Sequence, residues 1–152
     1  MSLENCINRV IIKNKQIFIL NNIDVEIENV DKNVYCDDKW LGFIINQIVV
    51  NASKYRNLEN PKVKIYAEDI KNGIQLIIED NGLGIPKAEL NRVFEKGFTG
   101  SKGRLNNKST GIGLYLCKKL CGKLGLTIDI ESKENLYTKV IIIFPKGSFV
   151  MK

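Results

Sequence analysis

The chain has 152 residues, 44% hydrophobic and 26% charged, a length and balance that fit one globular domain with its own core. It carries a net charge of +6 and contains no histidine, and its longest purely apolar run is Val140 to Phe144. These facts exclude a membrane-spanning helix within the sequence, a histidine-ligated metal site, and any step that needs an imidazole from this chain.

The N-terminus lacks the apolar core of a secretory signal, and Met1-Ser2-Leu3 is compatible with a cloning scar on a piece of a longer protein. Glu4 to about Leu20 reads as one helix, with Ile7, Val10, Ile11, Ile17 and Phe18 roughly on one side. Ile23, Val25 and Ile27 alternate with Asp24, Glu26 and Glu28, the pattern of a half-buried strand. Asp37 or Asp38 caps a second helix that runs to about Arg56, with Leu41, Ile44, Ile45, Ile48, Ala52 and Tyr55 as its apolar stripe.

Val63, Ile65 and Ala67 alternate as a strand, and the turn Lys71-Asn72-Gly73 leads into a second strand, Ile74 to Asp80, so the two form a hairpin. A long glycine-rich segment from Asn81 to Thr110 follows, interrupted by a short helix near Lys87 to Phe94 with Pro86 at its start. Loops of this length in a compact domain are usually functional. A third main helix starts near Gly111 and runs to Leu124. Leu126, Ile128 and Ile130 alternate as one strand, and Thr138, Val140, Ile142 and Phe144 as the last. Strands that alternate with helices but also form hairpins give an α+β sandwich, a mixed sheet with helices on one face.

Charge is unevenly spread. Lys96 to Ile128 holds seven basic residues and no acidic one, whereas Asp24 to Asp38 holds six acidic residues and one basic one. No nucleic-acid module accompanies the basic stretch, so nucleic acid is not an expected partner. It fits a solvated surface, or better, a set of cations that neutralise a triphosphate. Cys6, Cys36, Cys117 and Cys121 form no C-x-x-C pair. They read as buried free thiols in a reducing compartment, the cytosol.

Three places carry candidate chemistry. Asp80 shares a strand face with Ile74, Leu76 and Ile78, so its carboxylate points toward the core and needs a partner there. The exocyclic amine of adenine is one such partner, and Gly82 and Gly84 let the backbone approach a flat ligand. The same residues also make a plain Asp-Asn-Gly turn. Gln47, Asn51 and Lys54 are spaced by four and three on the second helix and form a polar face. Asn51 can offer an oxygen to Mg²⁺ beside phosphates and water, and Lys54 a point charge to a phosphate. A solvated helix face explains Gln47 equally well. Ser109-Thr110-Gly111-Ile112-Gly113 leads into a helix, a phosphate-binding geometry, with Lys102, Arg104 and Lys108 just upstream. It is neither a Walker nor a Rossmann motif. Phe94 and Phe98 fit a role in packing the lid onto the core. Thr138 shares the inward face of the last strand, where it can bond Asp80 or a water, or serve simply as a β-favouring residue.

Together these residues resemble the catalytic, ATP-binding domain of sensor histidine kinases, of the superfamily that includes gyrase B, Hsp90 and MutL. The resemblance covers roughly Val34 to Pro145. "WLGFIINQIVVNASKY", Trp40 to Tyr55, looks like the N box, "EDNGLGIP" like the first glycine box, "RVFEKGFTG" like the F box and "STGIGLYLCKKL" like the second glycine box. The resemblance implies the Bergerat ATP-binding fold, a two-layer α/β sandwich with a long ATP lid, and ATP and Mg²⁺ as cofactors. It implies Asn51 as the metal ligand, Asn51 and Lys54 as the catalytic pair, and Asp80 as the adenine-binding carboxylate. Tyr55, Gly82, Gly84, Ile85, Phe94, Thr99, Thr110, Gly111, Ile112, Gly113, Leu114 and Thr138 complete the implied nucleotide site.

The Trp-Leu-x-Phe-Ile-x-x-Gln wording and the short lid look like a narrower subgroup, the small membrane-bound kinases of Gram-positive bacteria that respond to envelope stress and antimicrobial peptides. Gln47 stands where many histidine kinases have an earlier Asn, a Gln that the subgroup resemblance makes unsurprising, and Tyr137 stands where Gly often precedes the final Thr. The phosphoacceptor histidine of the family, which lies on a separate dimerisation domain, is absent. The resemblance therefore implies the catalytic half of a homodimeric membrane kinase, facing the cytoplasm, with that dimerisation domain and a response regulator as partners. Two alternatives stand beside it: a serine kinase of the anti-sigma-factor type, and a nucleotide-binding regulatory module without transfer activity. Hydrolysis of the gyrase type is disfavoured, because Gln47 replaces any carboxylate candidate in the N-box helix.

Overall fold

The computed structural model describes residues 1–100 and 112–146. The expected phosphate-loop residues Ser109, Thr110 and Gly111 and the upstream cations Lys102, Arg104 and Lys108 lie outside the described residues.

Ser2 caps helix α1 (Leu3–Lys13), its side chain accepting from Asn5 N at 3.2 Å. Leu3 is fully buried and the Met1 amino group donates to Val34 O, so the first residues are part of the packing. The single helix expected from Glu4 to Leu20 is instead two, α1 and a six-residue α2 (Lys15–Leu20). Asn14 makes the break. It is 6% exposed, and its Nδ2 donates to Val10 O and to Asn46 Oδ1, both at 2.8 Å. A buried amide satisfied by a neighbouring helix outweighs the weak helix preference of the surrounding chain. The break turns the second half outward: Phe18 is buried, but Ile17, Ile19 and Leu20 are exposed.

Helix α3 (Asp38–Lys54) is capped by Asp37, whose carboxylate accepts from Trp40 N at 3.1 Å. It ends two residues before the expected Arg56, with Tyr55 as its C-cap. The expected stripe is in place. Leu41, Ile44, Ile45, Ile48 and Ala52 are buried, while Tyr55 is half-buried at the helix end.

Among the described residues five strands form one mixed sheet: β1 (Asp24–Glu28), β2 (Lys62–Ile70), β3 (Gly73–Asp80), β4 (Thr127–Lys133) and β5 (Tyr137–Pro145), ordered β1-β2-β3-β5-β4. Only β1 and β2 pair parallel; the other neighbours are antiparallel. Period-two alternation sends Val63, Ile65, Ala67, Leu76, Ile78, Val140, Ile142 and Phe144 to one face. There they pack with the buried faces of α1, α3 and helix α4 (Gly113–Leu124) in a single core. Helices on one side of a mixed sheet give the expected two-layer α+β sandwich. The described part of α4 begins at Gly113, after Ile112 as its N-cap.

Cys6, Cys117 and Cys121 are buried and free, and burial pushes the Cys117 thiol up to about 12. Cys36 is free but only half-buried.

Candidate functional site

Where β3 ends, the chain must leave the sheet beside the C-terminus of α3, and that crossing makes a cavity of about 160 Å³. Asp80 is the last residue of β3, opposite Val63 on β2 and Thr138 on β5. Its inward direction follows from the strand period, as the sequence suggested. Oδ1 accepts the Gly82 N–H at 2.9 Å. Burial, with a smaller push from the neighbouring Glu79 charge, raises the carboxyl to about 7 against the pull of that hydrogen bond.

The glycine loop after Asp80 is held from both sides. Leu83 N donates to Tyr55 O at 2.9 Å, and a side chain at Gly82 would strike the same carbonyl. From the other side, Asn135 N donates to Leu83 O at 2.6 Å and Ile85 N to Ser132 Oγ at 2.9 Å. Gly84 lies against Lys133 O with φ +67°, so both its backbone angle and its contact require glycine. Asn135 sits in the β4–β5 turn at φ 64°, a left-handed conformation that Asn tolerates better than most residues. The β4–β5 hairpin thus forms a brace for the loop.

Of the residues expected from sequence, Asn51, Lys54, Tyr55, Asp80, Gly84, Ile85, Thr99, Gly113, Leu114 and Thr138 line the cavity. Asn51 and Lys54 enter from one face of α3, and Gln47, one turn before Asn51, lines it as well. A Cβ on Gly113 would come within 2.7 Å of Gln47 Oε1, so Gln47 meets the N-terminus of α4 rather than standing on a solvated face. Gly82 supports Asp80 from beside the cavity. Phe94 is not among the lining residues: it packs on the hydrophobic core, with the Lys118 ammonium 5.2 Å from its ring centre. Ile112 caps α4 and is likewise outside the lining. Thr138 does not bond Asp80; its hydroxyl lies 3.0 Å from Ser132 Oγ.

Sequence reasoning missed Pro86, Glu89, Val93 and Gly100, which close the cavity on the side of the 3₁₀ helix Lys87–Arg92. It also missed Ser132 and Asn135 behind the loop. No local period marks these residues, since each contacts the site across the fold. The asparagine in the β4–β5 turn was the one available signal.

The family model for histidine kinase-, DNA gyrase B- and HSP90-like ATPases matches residues 36–148. The chain belongs to this family. Sensor protein kinase GraS of Staphylococcus aureus (strain MRSA252) is 43% identical over 116 residues, 76% of this chain and 33% of GraS. Sensor histidine kinase YxdK of Bacillus subtilis (strain 168) is 35% identical over 145 residues, 95% of this chain and 45% of YxdK. The chain therefore spans less than half the length of these relatives. The catalytic domain of histidine kinase ThkA superposes with a TM-score of 0.81 at 26% identity, covering 96% of this chain and 93% of that one. ThkA is also known in complex with response regulator protein TrrA, a match that covers 41% of that chain.

For a histidine kinase-type ATPase domain the donor set is informative. Among the described residues no cluster of His, Cys, Asp or Glu can cage a metal. The cavity offers instead the side-chain oxygen of Asn51, with Gln47 on the same helix face. Such a set fits Mg²⁺, which keeps several waters and binds through few protein oxygens plus substrate phosphates. No helix among the described residues is long and apolar enough to cross a membrane.

Proposed function

We propose that this domain binds Mg²⁺–ATP in the cavity between α3 and the glycine loop and donates the γ-phosphoryl group to a histidine on a separate dimerisation domain. A response regulator then receives the group in two-component signalling. The observation that carries the reading is the convergence of Asp80, Asn51, Lys54 and Gly113 on one cavity, from three separate boxes of sequence.

Each residue has work that suits its chemistry. Asp80, ionised, accepts a hydrogen bond from the adenine 6-amino group at the closed end. Asn51 supplies a metal oxygen one turn before Lys54, whose ammonium faces phosphate as a point charge. The backbone N–H groups at the start of α4, with the helix dipole behind them, stabilise phosphate oxygens. Mg²⁺, when bound, neutralises charge on the phosphates. In the transfer itself the bond from the γ-phosphorus to the ADP oxygen breaks and a bond to imidazole nitrogen forms, and the imidazole loses its proton. Such transfer needs mainly positioning and electrostatics, which this chain can provide without an imidazole of its own.

The absence of histidine from the sequence is consistent with an acceptor on another domain. The names of the relative YxdK and of the structural neighbour ThkA, both histidine kinases, favour histidine over serine as that acceptor. The reading extends to a whole protein that is a membrane-bound homodimer with this domain on the cytoplasmic side, a reading favoured by the sensor-kinase names of the longer relatives. The test is transfer of labelled γ-phosphate from ATP to a purified dimerisation domain from the same kinase, in the presence of Mg²⁺. Labelling that disappears when the acceptor histidine is replaced by alanine supports the proposal. Labelling of serine, or none by a domain shown to bind ATP, contradicts it.

A further inference from the structure

Ser132, which sequence reasoning did not select, sits at a junction of three hydrogen bonds behind the cavity wall. Its Oγ lies 2.7 Å from Tyr137 O, 2.9 Å from Ile85 N and 3.0 Å from Thr138 Oγ1. The direction of each bond follows from what the groups can do. A carbonyl only accepts, so the single Ser132 proton goes to Tyr137 O. A backbone N–H only donates, so Ser132 accepts from Ile85. One lone pair remains for Thr138, and in that pair Thr138 must be the donor. The Thr138 proton is therefore turned back toward β4, and its hydroxyl has only lone pairs left to offer the cavity that it lines. Thr138 is directly opposite Asp80 across the β3–β5 pair, and Asp80 lines the same cavity.

We infer that Ser132 is a positioning residue for base selectivity: by taking the Thr138 proton it holds Thr138 as an acceptor beside Asp80. This end of the cavity then accepts a purine with a donor at C6 and opposes one with an oxo group there. The inference rests on the nucleotide reading above and adds to it the residue that sets the polarity of the pocket. A site whose polar groups face the wrong polarity discriminates more strongly than one that merely lacks a contact.

The experiment compares calorimetric affinities for ATP and ITP, whose base carries an oxo group at C6 and a proton on N1, at pH 8.5, where Asp80, titrating at about 7, is ionised. The wild-type chain should prefer ATP. Ser132→Ala frees the Thr138 proton to serve O6 and should narrow the ATP-to-ITP preference about tenfold, the worth of one hydrogen bond. Ser132→Thr, which keeps the hydroxyl, should retain the wild-type ratio. In a Thr138→Val background Ser132→Ala should leave the ratio unchanged, because its effect passes through Thr138. Should Ser132→Ala fail to fold by thermal melt, Ser132→Cys serves the same comparison, since a thiol is a weak acceptor. Equal weakening of both nucleotides, or a change in ratio that persists without the Thr138 hydroxyl, would overturn the inference and leave the nucleotide reading intact. A folded wild-type chain that binds neither nucleotide would overturn both.

Discussion

Replacing Asp80 by Asn should make the nucleotide-free protein more stable while it weakens ATP binding. The native carboxyl is raised from 3.8 to about 7, mainly by burial. Between those values the folded state holds a proton that the unfolded state has released, so stability falls as pH rises through this window and is flat above it. The shift is about 3 units, and at 1.36 kcal/mol each the loss by pH 8 is at most about 4 kcal/mol. Asn stays neutral and can still accept the Gly82 N–H, but its amide adds a buried donor that costs about 1–3 kcal/mol. The net gain at pH 8 is then about 1–3 kcal/mol, or roughly 2–10 °C in melting temperature for a chain of this length. At pH 5 the wild-type group is already protonated and the advantage should vanish. Melting both proteins without nucleotide at pH 5 and pH 8 provides the assay. The same substitution should cost about 1.5–3 kcal/mol of ATP affinity, the value of a hydrogen bond to a charged group. A variant no more stable than wild type at pH 8, or one with the same advantage at pH 5, would refute the burial argument.

Three further outcomes are expected. ATP affinity should fall roughly tenfold per pH unit below about 7, because adenine binds the ionised carboxylate and binding must first remove a proton, and Asp80→Asn should abolish that slope; calorimetry at pH 6, 7 and 8 reads both. Asn51→Ala should eliminate Mg²⁺-dependent transfer to a supplied histidine domain while leaving the melt near that of wild type, and full activity would remove Asn51 from the metal site. Gly84→Ala should destabilise by more than about 1 kcal/mol in denaturant unfolding, since alanine meets both a positive φ and the Lys133 carbonyl.

What could be read from the sequence depended on whether the signal was local. The stripe of α3 and the inward direction of Asp80 follow from a period of 3.6 or 2 within one element, and both are observed; the Lys71-Asn72-Gly73 turn was legible from its residue types, although Gly73 already belongs to β3. The Asn14 break is not visible this way, because the group that satisfies its amide is Asn46, 32 residues away. Thr138 was placed on the correct face, but its partner, Ser132, lies on the adjoining strand and carries no motif. Glu89 and Gly100 join the cavity through a loop whose path no propensity dictates. Phe94 packs on the core, the role its aromatic ring suggested, and does not line the cavity that its box implied.

The account's central claim is that this one cavity holds Mg²⁺–ATP. Its most direct test is calorimetric titration of the wild-type chain with a non-hydrolysable ATP analogue, with and without Mg²⁺. The account predicts a single saturable site that weakens when Mg²⁺ is removed. No binding under either condition, by a chain whose cooperative melt shows it folded, would contradict it.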